Sequence, residues 1–209
     1  MKILGISSAT KVISFGLIDE EKALVEATLA DNRAEKIMFF IQEAGIKPDE
    51  IEAVAVASGP GSYSGLRGGL ATAKSLAQTL NIPLVGVSTL EAIAYNLIDI
   101  EGTMAVILDA KADDYNFALF GASQGKLKRL TDDLVLNVSV IKEKLSNISG
   151  KIWVVGSSYK GNTDEIHAHP YGINVAKLGL LKIKAGEIDD PLKLTPNYSH
   201  KPNIREYSK

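Results

Sequence analysis

The stretch that most constrains this chain is "AVAVASGPGSYSGLRGGLATAKSLAQTL", Ala53 to Leu80. Ala53 to Ala57 are apolar at every position, so they read as a buried strand. The strand ends in a loop holding Gly59, Pro60, Gly61 and Ser62, and a helix over Tyr63–Leu80 follows at once. Strand, glycine loop and helix N-terminus together form a ready anion site, because unpaired N–H groups and the helix dipole point at the ligand. The letters fit neither phosphate pattern. A G-x-x-x-x-G-K-[ST] run is missing, and Gly59, Gly61 and Gly65 only approximate G-x-G-x-x-G, with Leu66 and Arg67 standing where close packing is wanted.

The helix carries two stripes. Leu66, Leu70, Ala73, Ala77 and Leu80 suit a domain core. A second stripe, Gly65, Gly68 or Gly69, Thr72, Leu76 and Thr79, is small in its first half. Glycine in a helix interior costs about 1 kcal/mol relative to alanine, so Gly68 and Gly69 need a reason, and close helix packing supplies one. The preceding helix, Asn32 to Ala44, has Ile37, Phe40, Ile41 and Ala44 on one face and Met38 and Phe39 beyond it. Such a helix is buried on two sides. Its second side meets either the neighbouring helix of the same domain or another molecule, through a patch made by helices Asn32–Ala44 and Ser64–Leu80.

Around this unit the order of elements repeats. "KILGIS", "VISFGLID" and "ALVEATLA" read as three strands, then helix, buried strand, helix, the strand "PLVGVS" and the helix "TLEAIAYNLI", capped by Ser88 or Thr89. The second half opens with "TMAVILDA" and "YNFALFG" as a hairpin-like pair and "KLKRL" as a third strand. The helix "VSVIKEKLSNI", the strand "KIWVVGSS" and the helix "NVAKLGLLKIKAG" follow. A duplicated βββαβα order is how the two-lobed actin-like ATPase fold is built, a class of α/β protein. The expected boundary is "IDIEGT", Ile98 to Thr103, giving an N-terminal lobe over 1–100 and a C-terminal lobe over 101–209. The tail from Asp189 is expected to lie extended on the body.

Composition removes several alternatives. With 45% hydrophobic and 23% charged residues the chain can bury a core, and 23 Lys and Arg against 25 Asp and Glu supply no basic field for a polyanion. The absence of Cys excludes disulfides, thiolate metal sites and a cysteine nucleophile. No apolar run approaches the ~20 residues of a membrane span, and the N-terminus lacks a leader-like segment, so the expectation is a soluble cytoplasmic protein with no membrane partner.

"SGPGSYSGLRGGLATAKSLAQTLNIPLVGVSTLEAIA" closely resembles the signature of the TsaB (YeaZ) family, and "ILGISSATKVISFGLID" and "LTPNYSHKP" extend the similarity over most of the chain. The resemblance implies an actin-like/HSP70/sugar-kinase (RNase H-like) fold. It also implies a part in making N6-threonylcarbamoyladenosine (t6A) at position 37 of tRNAs that read ANN codons. In that family the chain is the non-catalytic paralogue of TsaD (the Kae1 class), binds TsaD, is joined by the ATPase TsaE, and forms a homodimer alone through its N-terminal helices. The resemblance thus implies an accessory subunit rather than an enzyme, with tRNA met only through the complex. The expected partner interface is Met38, Phe39, Gly65, Arg67, Gly68, Gly69, Thr72 and Leu76. No cofactor is expected on this chain alone, and ATP or ADP is expected, if anywhere, at the interface of the complex.

Two further function classes share the fold: a nucleotide-dependent phosphotransferase of the sugar-kinase type and a glycoprotease-like metallopeptidase. The catalytic paralogue holds a metal with paired histidines on the helix where this chain reads "NRAEKIMFFI", and even the His-Ser-Glu common among TsaB relatives is Arg33-Ala34-Glu35 here. Ser7 stands where the first phosphate loop of the superfamily carries Asp, which argues against Mg-ATP handling. The histidines are His167, His169 and His200; the pair in "EIHAHPYG" has no third ligand nearby and reads as surface. Asp109, Asp113 and Asp114 sit after a strand in a turn, where Asp serves backbone hydrogen bonding. Arg67 and Lys74 suit phosphate, solvent or a partner equally.

Overall fold

The computed structural model describes residues 1–30, 33–111, 113–157, 159, 160 and 165–199. Its first sheet runs β1 (Lys2–Ser7), β2 (Ile13–Asp19), β3 (Lys22–Leu29), β4 (Ala53–Gly59) and β5 (Leu84–Ser88), in the spatial order β3-β2-β1-β4-β5. β1, β2 and β3 form an antiparallel meander, while β4 and β5 add in parallel on the other side of β1. The second sheet has β6 (Gly102–Lys111), β7 (Asp114–Ser123), β8 (Lys126–Arg129), β10 (Ile152–Ser157) and β11 (Ile166–His167), in the order β11-β10-β6-β7-β8. Read from its own first strand, this is the same topology: an antiparallel meander with two parallel strands beyond it. The duplicated arrangement is the actin-like, RNase H-like α/β fold. β9 (Leu134–Asn137) pairs with β7 as an addition to the repeat.

Period-two alternation on β1 decides what covers the first sheet. Leu4 and Ile6 join Val54 and Val56 on one face, under α1 (Ile37–Glu43) and α2 (Tyr63–Leu80), with Ile37, Ile41, Leu70, Ala73 and Ala77 closing that core. Ile3, Ala55, Ala57 and Val85 face the other way, against Ile173, Val175 and Ala176 of α5 (Gly172–Lys184). The helix expected to complete the second lobe therefore packs on β1, β2, β4 and β5 of the first. The reason is steric. A Cβ at Gly5 would run into the Gly172 carbonyl, and one at Gly16 would meet the Ile173 side chain and backbone at 2.8 Å. Glycines paired across the adjacent strands β1 and β2 open a trough in the sheet that accepts a helix backbone.

α5 has no cap of its own, because its N-cap residue, Tyr171, makes no side-chain bond. The Ser14 hydroxyl on β2 accepts the Gly172 N–H at 2.9 Å and lies 3.2 Å from the Ala27 carbonyl, which it donates to. A residue 158 positions away thus caps the helix. Ser14→Ala should cost about 1–2 kcal/mol, a fall in Tm of about 3–6 °C in a chain of this size. Thermal denaturation checks it, and an unchanged Tm would show that the remote cap contributes nothing.

The remaining elements follow local rules. α2 starts at Ser62, whose hydroxyl accepts the Gly65 N–H at 3.4 Å, and stops at Asn81 in the left-handed region. α3 (Thr89–Ala94) is capped by the Ser88 side chain and ends in a 3-10 turn, Tyr95–Leu97. The helix expected from Asn32 begins as a 3-10 turn, Ala34–Lys36, before α1; Asn32 lies outside the described residues. α4 (Val138–Ser146) is capped by Asn137. The described part of the tail, 189–199, lies on the body with a turn at 191–193: Asp189 bridges to Leu84 at the β5 edge, Leu194 packs into the first core, and the Asn197 N–H donates to the Ser58 carbonyl at 2.7 Å.

Candidate partner-binding face

The glycine loop is filled by the chain itself. The Ser62 N–H donates to the Ala9 carbonyl at 2.7 Å, and a Cβ at Gly61 would strike that same carbonyl. A Cβ at Gly59 would strike the Asn197 carbonyl of the tail. The Ser8 hydroxyl donates to the Gly65 carbonyl at 2.7 Å, so the β1–β2 turn and the start of α2 are tied together. These glycines let backbone approach backbone, with the Ala9 and Asn197 carbonyls standing against them. Ser7, at the end of β1, is fully buried.

The same geometry corrects the expected role of the helix glycines. Gly65 and Gly69 are buried, and a Cβ on either would hit Ser8, at its carbonyl and hydroxyl respectively. Gly68 faces Ala34, whose Cβ occupies the space a side chain would need. The close packing inferred from these residues is therefore intramolecular, between α2, the β1–β2 turn and the 3-10 turn before α1. Leu76, expected at the interface, is 7% exposed and belongs to the first core. Arg67 is exposed and Thr72 half-buried, and around them α2 leaves Tyr63, Ser64, Ala71 and Ser75 at the surface. Sequence reasoning missed those four. Three of them carried a signal, since Ser64, Ala71 and Ser75 recur with Gly68 at three- and four-residue steps on the side away from Leu66, Leu70, Ala73 and Ala77.

On α1 the second apolar side is open. Met38 is 40% and Phe39 54% exposed, while Ile37 and Ile41 are buried beneath them. Phe39 meets Phe40 edge-on at 5.8 Å. Beside them a cavity of about 470 Å³ lies between α1, the 3-10 turn Pro48–Glu50 and α2, lined by Met38, Ile41, Ile46, Pro48, Ile51 and Leu76 among others. Exposed apolar side chains next to a flat run of small residues form a face suited to another helix pair.

At the N-terminal end of this face three side chains stack. Arg67 Nη1 donates to the Tyr63 hydroxyl at 3.0 Å, and its guanidinium carbon stands 5.4 Å from the centre of that ring. Tyr63 stacks on Tyr198 of the tail, with centroids 4.9 Å apart and planes at 28°. Burial pushes the Tyr198 phenol above its ordinary 10.0, Tyr63 adds to the rise, and Arg67 opposes it.

The other candidates are dispersed. Asp109 accepts the Lys111 N–H at 3.1 Å, as a turn aspartate does, and Asp113 pairs with Lys160 at 3.1 Å, which holds the Lys160 amine above its ordinary value. Asp114 begins β7 opposite Lys111 and Asn137. His167 lies exposed on β11, His169 gives its carbonyl to Asn96 at 2.8 Å, and His200 lies outside the described residues.

A family model described as TsaD, tRNA N6-adenosine threonylcarbamoyltransferase, matches residues 28–149, more than half of the chain and the part that holds α1 and α2. The chain is 30% identical over 139 residues to the tRNA threonylcarbamoyladenosine biosynthesis protein TsaB of Bacillus subtilis, and 26% identical over 172 residues to that of Escherichia coli. The chain belongs to the TsaB/YeaZ family. The two matches cover 64% and 78% of this chain; they span 61% of the Bacillus protein, less than two thirds of its length, and 74% of the Escherichia one. A crystal structure from Pseudomonas aeruginosa, of a protein described as similar to peptidase YeaZ, superposes with a TM-score of 0.79. It covers 95% of this chain and 99% of that one at 19% identity, and this likeness concerns the fold alone. Within the TsaB/YeaZ family, then, this chain carries an open α1/α2 face whose glycines are consumed internally. No helix among the described residues is long and apolar enough to cross a membrane.

Proposed function

We propose that the chain is an accessory, non-catalytic subunit of the machinery that makes t6A at position 37 of tRNAs reading ANN codons, and that it works by binding a TsaD-family paralogue through the α1/α2 face. The observation that carries this reading is the pair Met38 and Phe39, exposed at 40% and 54% beside the small-residue side of α2. An apolar face of this kind is a liability on an isolated chain unless a partner covers it. The TsaD family model runs through α1 and α2, so a TsaD paralogue carries counterparts of both helices and can meet this face in a near-symmetric pairing. A second copy meets it the same way when the paralogue is absent. The TsaE ATPase and tRNA join through the assembled complex, and a nucleotide bound there is held at the interface.

An accessory role is supported by what occupies the superfamily's reactive positions. Ser7 replaces the aspartate of the first phosphate loop, Arg33 and Ala34 stand in the segment where paired histidines hold metal, and the Gly59–Ser62 loop is packed by Ala9 and Asn197. Mixing the purified chain with its cognate TsaD protein in sedimentation velocity should convert any homodimer into a heterodimer. t6A formation in a reconstituted system should stop when this chain alone is left out. Absence of a complex, or modification that proceeds without the chain, overturns the reading.

A further inference from the structure

Arg67 and Lys74 lie seven residues apart on α2, and neither makes an ion pair among the described residues. Between Tyr63 and Leu80 there is no acidic residue, so this side of the helix is cationic and otherwise small and neutral. Arg67 is nevertheless held. Its guanidinium bonds the Tyr63 hydroxyl and stands 5.4 Å from the centre of that ring, the ring stacks on Tyr198, and Tyr198 packs on the second core cluster, which also holds Leu66 and Ala57. Core, Tyr198, Tyr63 and Arg67 form a continuous ladder.

The lower end of the ladder is tied to both lobes. The Asn197 N–H donates to the Ser58 carbonyl on β4, the Asn197 side chain reaches Asp133 of the second lobe at 3.5 Å, and the Ser199 hydroxyl bonds Asn116 on β7. Asp133 is itself held by Arg129 at 2.6 Å, and Arg129 lies 3.8 Å from Glu91 of α3. The tail thus touches both lobes through Asn197 and Ser199, the residues on either side of Tyr198.

We infer that Tyr198 and Tyr63 are positioning residues that pre-orient Arg67 to receive a carboxylate presented by the TsaD-family partner, so that the tail is an indirect part of the binding surface. This rests on the partner reading of the α1/α2 face. The occupant follows from charge: two unpaired cations on a helix without an acid favour an acidic partner side chain, and α2 of a second copy brings only the same two cations. Fixing a guanidinium before encounter removes the ordering cost that a free Arg side chain would bring to binding.

The test is isothermal titration of the full chain with its cognate TsaD protein at low and high salt. Arg67→Ala should weaken binding about tenfold and flatten its salt dependence. Tyr198→Ala should do the same, Tyr198→Phe should bind like the natural chain, and the Arg67→Ala/Tyr198→Ala double variant should be no weaker than Arg67→Ala alone. Tyr63→Phe, which removes only the hydroxyl that Arg67 bonds, covers the case in which Tyr198→Ala fails to fold. If losses at Arg67 and Tyr198 multiply, or if Tyr198→Ala and Tyr63→Phe both leave affinity and salt dependence unchanged while Phe39→Asp abolishes binding, the positioning role is wrong and the partner reading survives. If Phe39→Asp binds like the natural chain, the partner reading fails and this inference with it.

Discussion

Gly5→Val should cost the fold about 3 kcal/mol or more, a fall in Tm of about 10 °C at 2–4 °C per kcal/mol for a chain of this length. The substitution suits strand propensity, since valine is a better strand former than glycine. It fails on space. The Gly5 Cβ position is occupied by the Gly172 carbonyl of α5, with the Ala176 Cβ at 2.9 Å, and backbone cannot step aside as a side-chain tip can. Gly16 meets Ile173 in the same trough, and Gly179 on the helix meets Ala55. A side chain at Gly5 therefore lifts α5 from the sheet and opens the core of Ile3, Ala55, Val175 and Ala176. Gly121→Ala is the control, because its Cβ would sit 3.8 Å from Leu130, an ordinary contact. Urea denaturation of both variants decides the matter; a Gly5→Val chain as stable as the natural one would mean α5 is not seated where the sheet places it.

Phe39→Asp should reduce association with a TsaD-family partner, and with a second copy, by more than about 30-fold, the scale of a lost aromatic anchor. The free chain should keep its Tm, because Phe39 is 54% exposed and a carboxylate there stays hydrated. Ala71→Trp, on the exposed side of α2, should act alike by blocking close approach of a partner helix. Gly69 is the wrong residue for this purpose: a bulky side chain there strikes the Ser8 hydroxyl inside the chain and weakens the fold, so lost binding would not report on a surface. Sedimentation equilibrium for self-association and titration for the partner measure both effects. Normal binding by Phe39→Asp would take α1 out of the interface.

Local pattern carried much of the architecture. The α2 helix could be bounded at Tyr63 and Leu80 from the glycine loop before it and its apolar stripe, and the strands of both meanders were visible as β-rich runs between polar turns. β9 and β11 were missed, because four residues and two residues hold too little periodicity to stand out, and pairing with β7 and β10 is what makes them strands. α5 was read as an amphipathic helix from Asn174 in the C-terminal half, and its stripe does not say which apolar surface it meets; Ile173, Ala176 and Leu180 join the core of the first sheet.

The interface candidates divide on the same line. By itself the sequence determined that α1 is apolar beyond one face and that α2 carries an unusual set of small residues, because composition and spacing are properties of the chain alone. Whether a small residue faces its own domain or another molecule depends on which atoms come to stand over it, and only the tertiary structure decided that. Ser8 and Ala34, 57 and 34 residues from Gly65 and Gly68 along the chain, fill the space over the glycines, while nothing in the described chain comes to cover Phe39. A missing Cβ looks the same in sequence whichever neighbour required it, and long-range packing alone tells the two apart.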